Sequence, residues 1–464
     1  MKPLKILSRI GIVLLVVVAA VLVVRAVLNY TEGRALARTL AVLKAQGIPV
    51  TAKDLASPCP DEDNGARLWK AIESITTIPG RKSGPPAPGQ RPPRPSAAAQ
   101  TSLSKAWQDH AEGRPIAPAD RAALKELIRE NDKSFGLLAE MVDKPCFLYR
   151  DPAESLVESL TPRALLTLQT SRLLAFSSLF SAEDGDVRGA VDKLVLGLKF
   201  APLMAREGTL ISFLVSLAET RTASQILGDV CRGRAVAGDD LERLMALQDP
   251  GPWRERVVAA VRGERVMFIE VGNYLLKGSL NDLGSIWEGP HWWQQLGLWL
   301  ARPLVKRDLR ENLPDFDFLE AQAKVPYYQC REALGARDRD LELKKRPWYA
   351  FLSKMMISGS EAAFMKEAMI ESIMSANRTG LACRLYKSRT GRYPERLEEL
   401  VPALLPEVPI DPFTGKTLVY RREGEGFIVY SLGSNQRDDG GRMTYAISRL
   451  VTYKDDDWSW KEDK

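Results

Sequence analysis

Histidine is almost missing from this chain: two in 464 residues, His110 and His291. They lie far apart and beside no obvious nucleophile or metal partner. Cysteine is scarce as well, with five in all: Cys59, Cys146, Cys231, Cys330 and Cys383. No C-x-x-C occurs, which excludes zinc-ribbon and thioredoxin-like readings. The odd count leaves at least one thiol free or paired between chains, and the wide spacing sets the expectation of isolated buried thiols. No G-x-S-x-G, H-E-x-x-H or P-loop is present. An S-x-x-K at Ser102–Lys105 stands without S-D-N or K-T-G, as a chance match would. Massed basic segments are missing too. The net charge of +6 is spread among acids, which argues against nucleic acid as a partner, because phosphate binding needs a concentrated basic face. Carboxylate pairs are abundant, so a hydrolase built on one stays open, but nothing selects a pair.

What is present begins at the N-terminus. Lys2, Lys5 and Arg9 precede an unbroken apolar run, Ile10–Val24, which Arg25 interrupts before Ala26, Val27 and Leu28. A bilayer core takes about 20 apolar residues, a length reached here if Arg25 snorkels to the interface. No A-x-A cleavage site follows, so the run reads as a retained signal anchor rather than a cleaved signal. The flanking charges favour a cytoplasmic N-terminus only slightly. A short head and a long tail place the bulk outside the cytoplasm.

Beyond the anchor, helix is expected from Thr31 to Gln46, ended by Gly47 and Pro49, and again where Ala66, Trp69, Ile72 and Ile75 make a stripe. Ile78–Gln100 is too rich in proline and glycine for a packed element and reads as a linker. From Ser102 to about Gln248 helices alternate with tight turns, one of them at Asp184–Asp186. Pro162 sits at a helix start, where proline is tolerated. The rhythm resembles tetratricopeptide-like hairpin stacking, without that repeat's diagnostic residues. In the helix after "DPGPW", Gly263, Glu264 and Arg265 interrupt an apolar face, and each charge needs its own partner. Further on, Trp287, Trp292, Trp293 and Trp299 crowd beside Arg302, Lys306 and Arg307. Tryptophan next to basic residues suits a membrane–water interface, so these four are candidate membrane contacts. Met355, Met356, Met365, Met369 and Met374 read as core filling.

The C-terminal part changes character. A helix ends at Gly391, "RYPERLEELVPALL" starts a short second helix, and "KTLVYR" and "GFIVYSL" flank "REGEG" as a hairpin. The order helix, "GRYP", "LEELVP", "LPEVPIDPFTGKTLVY", hairpin, "YSLGSNQRDDGG" resembles the C-terminal half of type II secretion major pseudopilins, over about Leu381–Gly441. The remainder departs from that family: no G-F-T-L-I-E leader occurs, and the anchor lies far upstream of the module. The resemblance implies a fold for the tail, an extracytoplasmic setting and a calcium loop. The carbonyl of Leu432 and the side chain of Asn435 match the family's first ligand positions, asparagine replacing aspartate. Asp438 and Asp439 are hard oxygen donors that could substitute for its later ligands. The other reading is an Asx-type turn with solvated acids.

The expected fold is mainly α: an N-terminal transmembrane helix, a large helical-hairpin domain and a small C-terminal α+β pseudopilin-like module with a β-hairpin. The expected divisions are an anchor at 1–30, a helical segment at 31–77, a linker at 78–100, a helical domain at 101–358, the module at 359–445 and a polar tail at 446–464. The expected function is a non-catalytic, membrane-anchored envelope scaffold with a protein partner, tied to secretion by the resemblance. The alternatives are an enzyme acting on an envelope polymer, with a site around Glu264 and Arg265, and an accessory subunit of a type II secretion-like machine.

Overall fold

The computed structural model describes residues 2–55, 59–76, 97–149, 162–277, 292–343, 347, 349–357, 360–441 and 458–462. The order begins with α1 (Lys2–Ala45), α2 (Ala52–Leu55), α3 (Ala66–Ile75), α4 (Ala97–Ala111), α5 (Pro118–Glu130) and α6 (Asp132–Val142). It continues with α7 (Pro162–Glu183), α8 (Val187–Phe200), α9 (Leu210–Cys231), α10 (Gly238–Ala246) and α11 (Gly251–Lys277). Then come α12 (Trp292–Asn312), α13 (Pro314–Ala323), α14 (Tyr327–Leu343), α15 (Phe351–Met356) and α16 (Ser360–Thr390). The strands β1 (Val419–Glu423), β2 (Gly426–Ser431) and β3 (Trp458–Glu462) close the chain.

Local signals place many of these boundaries. Pro162, Pro118 and Pro314 each open a helix, where a missing N–H costs nothing. The Asp184–Asp186 turn separates α7 from α8, and Asp186 caps α8 by accepting from the Gly189 amide at 2.9 Å. Thr209 and Ser212 form a capping box on α9. Most of the linker assigned to 78–100 lies outside the described residues, and its last four residues, from Ala97, already belong to α4.

α1 is 44 residues long, about 66 Å at the helical rise. Among the described residues it is the one helix long and apolar enough to cross a membrane. Its two halves differ. Residues such as Ile12 and Leu15 are exposed, whereas Leu36 and Leu43 are buried in the core formed by α9 and α11–α16. A second core joins α4, α5 and α7–α10 to the C-terminal half of α16 and the sheet. α9 runs between them, buried on almost every face, which is why it shows little amphipathic pattern. Gly263 lets α11 close on the turn before α9: a Cβ there would collide with the Gly208 carbonyl.

Three expectations change. Cys59 and Cys146 form a disulfide, with Cα atoms 6.0 Å apart, while Cys231, Cys330 and Cys383 are the isolated buried thiols that spacing suggested for all five. A β-bridge between Asn64 and Cys146 brings these distant segments together. "RYPERLEELVPALL" makes only a 3-10 turn at Leu397–Leu400, since Pro402 withholds a donor and its ring opposes continuation of the helix. The hairpin forms as expected, with Glu423 opposite Gly426. It gains a third antiparallel strand, however, from Trp458–Glu462, which had read as part of a polar tail.

Candidate functional site

Three places gather polar chemistry. The first is the line where α12 runs beside α1. Arg25 stacks on the Trp299 ring, 3.3 Å from its centroid, and donates to the Trp299 carbonyl through Nε at 3.1 Å and Nη2 at 2.7 Å. Lys306 Nζ donates to the Asn29 carbonyl at 3.1 Å and to Asn29 Oδ1 at 2.8 Å. Arg310 pairs with Glu32 at 3.0 Å. Both numbers rise together along these contacts, so the helices are parallel. Trp299, Arg302, Lys306 and Arg310 follow the three- and four-residue spacing of one helix face. The first turns of α12 therefore extend alongside the apolar half of α1, with Leu296 and Leu300 exposed. Of the four tryptophans expected at an interface, Trp287 lies outside the described residues, Trp292 and Trp293 open α12, and Trp299 meets Arg25.

The second place is a cleft of about 370 Å³ between the body and the C-terminal segment. Arg254 from α11, Glu371 and Arg378 from α16, Tyr328 from α14 and the proline-rich stretch Pro406–Pro412 line it. Arg378 donates to Asp249 at 2.9 Å, and Arg254 lies 3.7 Å from Glu371. One turn before Glu371, Glu367 is buried. Burial first, then the Glu371 charge, pushes its carboxyl up to about 8 against the pull of Arg254. Burial also raises Glu371. These acids escaped the sequence reading, which saw in "FMKEAMIESIM" only its methionines. The signal was there: two carboxylates four apart within an apolar run share one helix face. Met369 and Met374 fill the core as expected, while Met355 is exposed.

Glu264 and Arg265 do not form one site. Arg265 is fully buried and donates to Asp317 at 2.5 Å on α13, with Glu320 at 3.6 Å. Glu320 in turn accepts from Arg262 at 2.7 Å. This is an ion-pair network fastening α11 to α13. Glu264 takes no part in it, and burial pushes its carboxyl up to about 7.

The third place is the loop after β2. Asp411, buried, is its staple: Oδ1 accepts from the Phe413 amide and the Ser431 hydroxyl, both at 2.9 Å, and Oδ2 from the Leu432 amide at 3.0 Å. Of the residues proposed for calcium, Asn435 donates to Asp439 at 2.8 Å and accepts from the Arg437 amide at 2.9 Å, an Asx turn. Asp438 accepts from the Tyr430 hydroxyl at 2.8 Å and the Gly440 amide at 2.9 Å. These bonds hold Asp438 below the usual carboxylate range. A calcium ion here would compete with protein donors at all three side chains.

A separate hollow of about 320 Å³ is mainly apolar, lined by Leu168, Ile211, Leu214, Met369 and Ile373 together with Arg221 and Lys366. No family model, no curated protein and no solved structure matches the chain.

Proposed function

We propose that the chain is a single-pass, membrane-seated scaffold of the cell envelope, with its body outside the cytoplasm, that holds a protein partner against its helical surface. The observation that carries this is the double character of α1. One continuous helix is apolar and exposed from Ile12 to Val24 and joins the core further on, at Leu36 and Leu43. An anchor built this way holds the body at a fixed pose on the bilayer, where a flexible tether would let it roam. The Trp-rich start of α12 then meets the interface. The Cys59–Cys146 disulfide supports the compartment, because such bonds persist in oxidising surroundings. The apolar hollow beside α9 and α16 suits one face of an amphipathic helix, with Arg221 and Lys366 among its lining. The long α16 leading into an antiparallel sheet supports the likeness of the tail to a pseudopilin module, and with it a role beside a secretion machine.

The test is fractionation of cells expressing the full chain. Resistance to alkaline carbonate, protease access to the C-terminus in spheroplasts and a mobility shift on reduction are expected. Release by carbonate or a protected C-terminus overturns the reading.

The cleft favours a second reading. Glu371 lines the cleft beside Arg254, with the buried Glu367 one turn behind it, and burial raises both carboxyls, as in a pair of acids set up to share a proton. An acid–base hydrolysis of an envelope polymer would use them. Release of soluble fragments from purified envelope polysaccharide, lost in Glu371→Gln, would establish it.

A further inference from the structure

We propose that Arg25, Arg302 and Lys306, gathered where α12 meets the end of the apolar half of α1, form a binding site for the phosphate of an anionic phospholipid. The inference rests on the membrane-seated reading and adds a ligand to it.

The geometry begins with the parallel pairing of the two helices. Arg25 reaches Trp299 and Asn29 reaches Lys306, so Arg302, on the same face of α12 and between those contacts, falls between the two cations. Its Nε is buried without a hydrogen-bond acceptor among the described residues. Burial, then the charges of Arg302 and Arg25, holds the Lys306 ammonium below its ordinary range, as three neighbouring cations require. Glu32, the carboxylate that α1 brings to this seam, already accepts from Arg310 at 3.0 Å. Among the described residues, three positive groups thus converge without an ion pair to any of them, an arrangement that costs free energy unless an anion joins it.

The donors are also arranged for one. Arg25 has its plane fixed by the Trp299 ring and commits Nε and Nη2 to a carbonyl, which leaves Nη1 for an outside oxygen. Lys306 commits its ammonium to the two oxygens of Asn29, leaving a third proton. Gly33 makes room for this: a Cβ there would stand 3.1 Å from Lys306 Nζ. Guanidinium groups match phosphate oxygens, and such bonds gain strength as water is excluded. The source follows from position. Arg25 is the first residue after Ile10–Val24, so in a spanning helix it sits at the depth of the lipid phosphates on the body's side. A phosphatidylcholine carries its own cation and neutralises the cluster less than a headgroup with net negative charge.

The experiment places the full chain in nanodiscs of phosphatidylcholine alone and of phosphatidylcholine with phosphatidylglycerol, and follows thermal unfolding. A ligand held only by the folded state raises the melting temperature, here by about 3–5 °C in the anionic discs. Arg302→Gln and Lys306→Gln should each remove most of the difference in melting temperature between the two kinds of disc, whatever their melting in phosphatidylcholine alone. Arg38→Gln, which removes an exposed charge away from the cluster, should keep it. Equal melting in both lipids overturns the site. So does an equal loss in Arg38→Gln, which would mean diffuse charge, or the same rise from inorganic phosphate in phosphatidylcholine discs. A chain that will not enter nanodiscs at all sinks the membrane reading beneath the proposal.

Discussion

Trp460 and Trp299 join the C-terminal strand and the N-terminal helix to the body, and they do so in different ways. Trp460, in β3, is buried with its ring against Gly380 of α16, so close that a Cβ there would lie 2.4 Å from the indole. Around it, Leu418, Phe427 and Val429 of the tail share one core with α7–α10. Arg384 ties the same corner together by donating to Glu462 at 2.8 Å, to the Cys231 carbonyl at 2.8 Å and to the Arg234 carbonyl at 2.6 Å. Trp299 is only half-buried. It meets an arginine rather than an apolar wall, in a seam with more positive than negative groups. The tail is closed on itself and on the body. The anchor seam is open on one side and unbalanced in charge, as a surface completed by another phase would be. Each end shares core residues with the body.

The sharpest way to break this comparison is to empty the tail's core. Trp460→Ala should cost about 3–5 kcal/mol through lost contacts and a cavity, read as a fall in the melting temperature of the full chain. A change under 1 kcal/mol would mean β3 is an ornament. Next, Arg384→Met leaves Glu462 charged and uncompensated in a site where the pair is 11% and 6% exposed. The expected loss is about 3 kcal/mol, the lower end for such pairs. Pairing it with Glu462→Leu should recover part of the loss.

The cleft gives a pH test. Glu367 is raised in the fold to about 8 from an ordinary 4.5. The folded state therefore holds a proton that the unfolded state has released. That contribution is fully present below the unfolded value, and it is lost as pH rises through the folded one. Thermal stability should fall between about pH 5 and pH 8, with Glu264 and Glu371 acting in the same direction. Glu367→Gln should flatten part of the slope, whereas an unchanged slope would place the titration elsewhere.

At the anchor seam the effects are smaller. Glu32→Gln should cost less than about 1 kcal/mol, since the pair with Arg310 is partly exposed and screened. The smallest effect concerns the loop after β2. With Asp438 and Asp439 already satisfied by Tyr430, Gly440 and Asn435, millimolar calcium and chelator should give the same melting temperature. A calcium-dependent rise would show that the loop opens to take the ion.

What was legible in the sequence was local. The apolar run of α1, the proline opening α7, the Asp184–Asp186 turn and the hairpin around Gly424 each follow from neighbours in the chain. What was hidden depends on distant partners. The disulfide spans 87 residues, and the Arg25–Trp299 contact spans 274. β3 sits in an acidic stretch whose Trp-Ser-Trp alternation, period two, was its one visible trace. Glu264 and Arg265 drew attention because they are charged within an apolar face. Glu367 and the cleft residue Glu371 lie in a face of the same kind on α16, and only the packing of α11 and the C-terminal segment against it makes the cleft that Glu371 lines.

The central claim is that α1 is both anchor and core helix, with α12 parallel beside it. Cysteine cross-linking in native membranes tests this most directly, using a short bifunctional thiol reagent on the full chain, whose free thiols are buried. Asn29→Cys with Lys306→Cys should cross-link readily. Asn29→Cys with Leu296→Cys, ten residues along α12 toward the apolar half of α1, should not. That result would fix the register of the seam and the pose of the body on the bilayer. No cross-link in the first pair, or equal yields in both, would contradict the account.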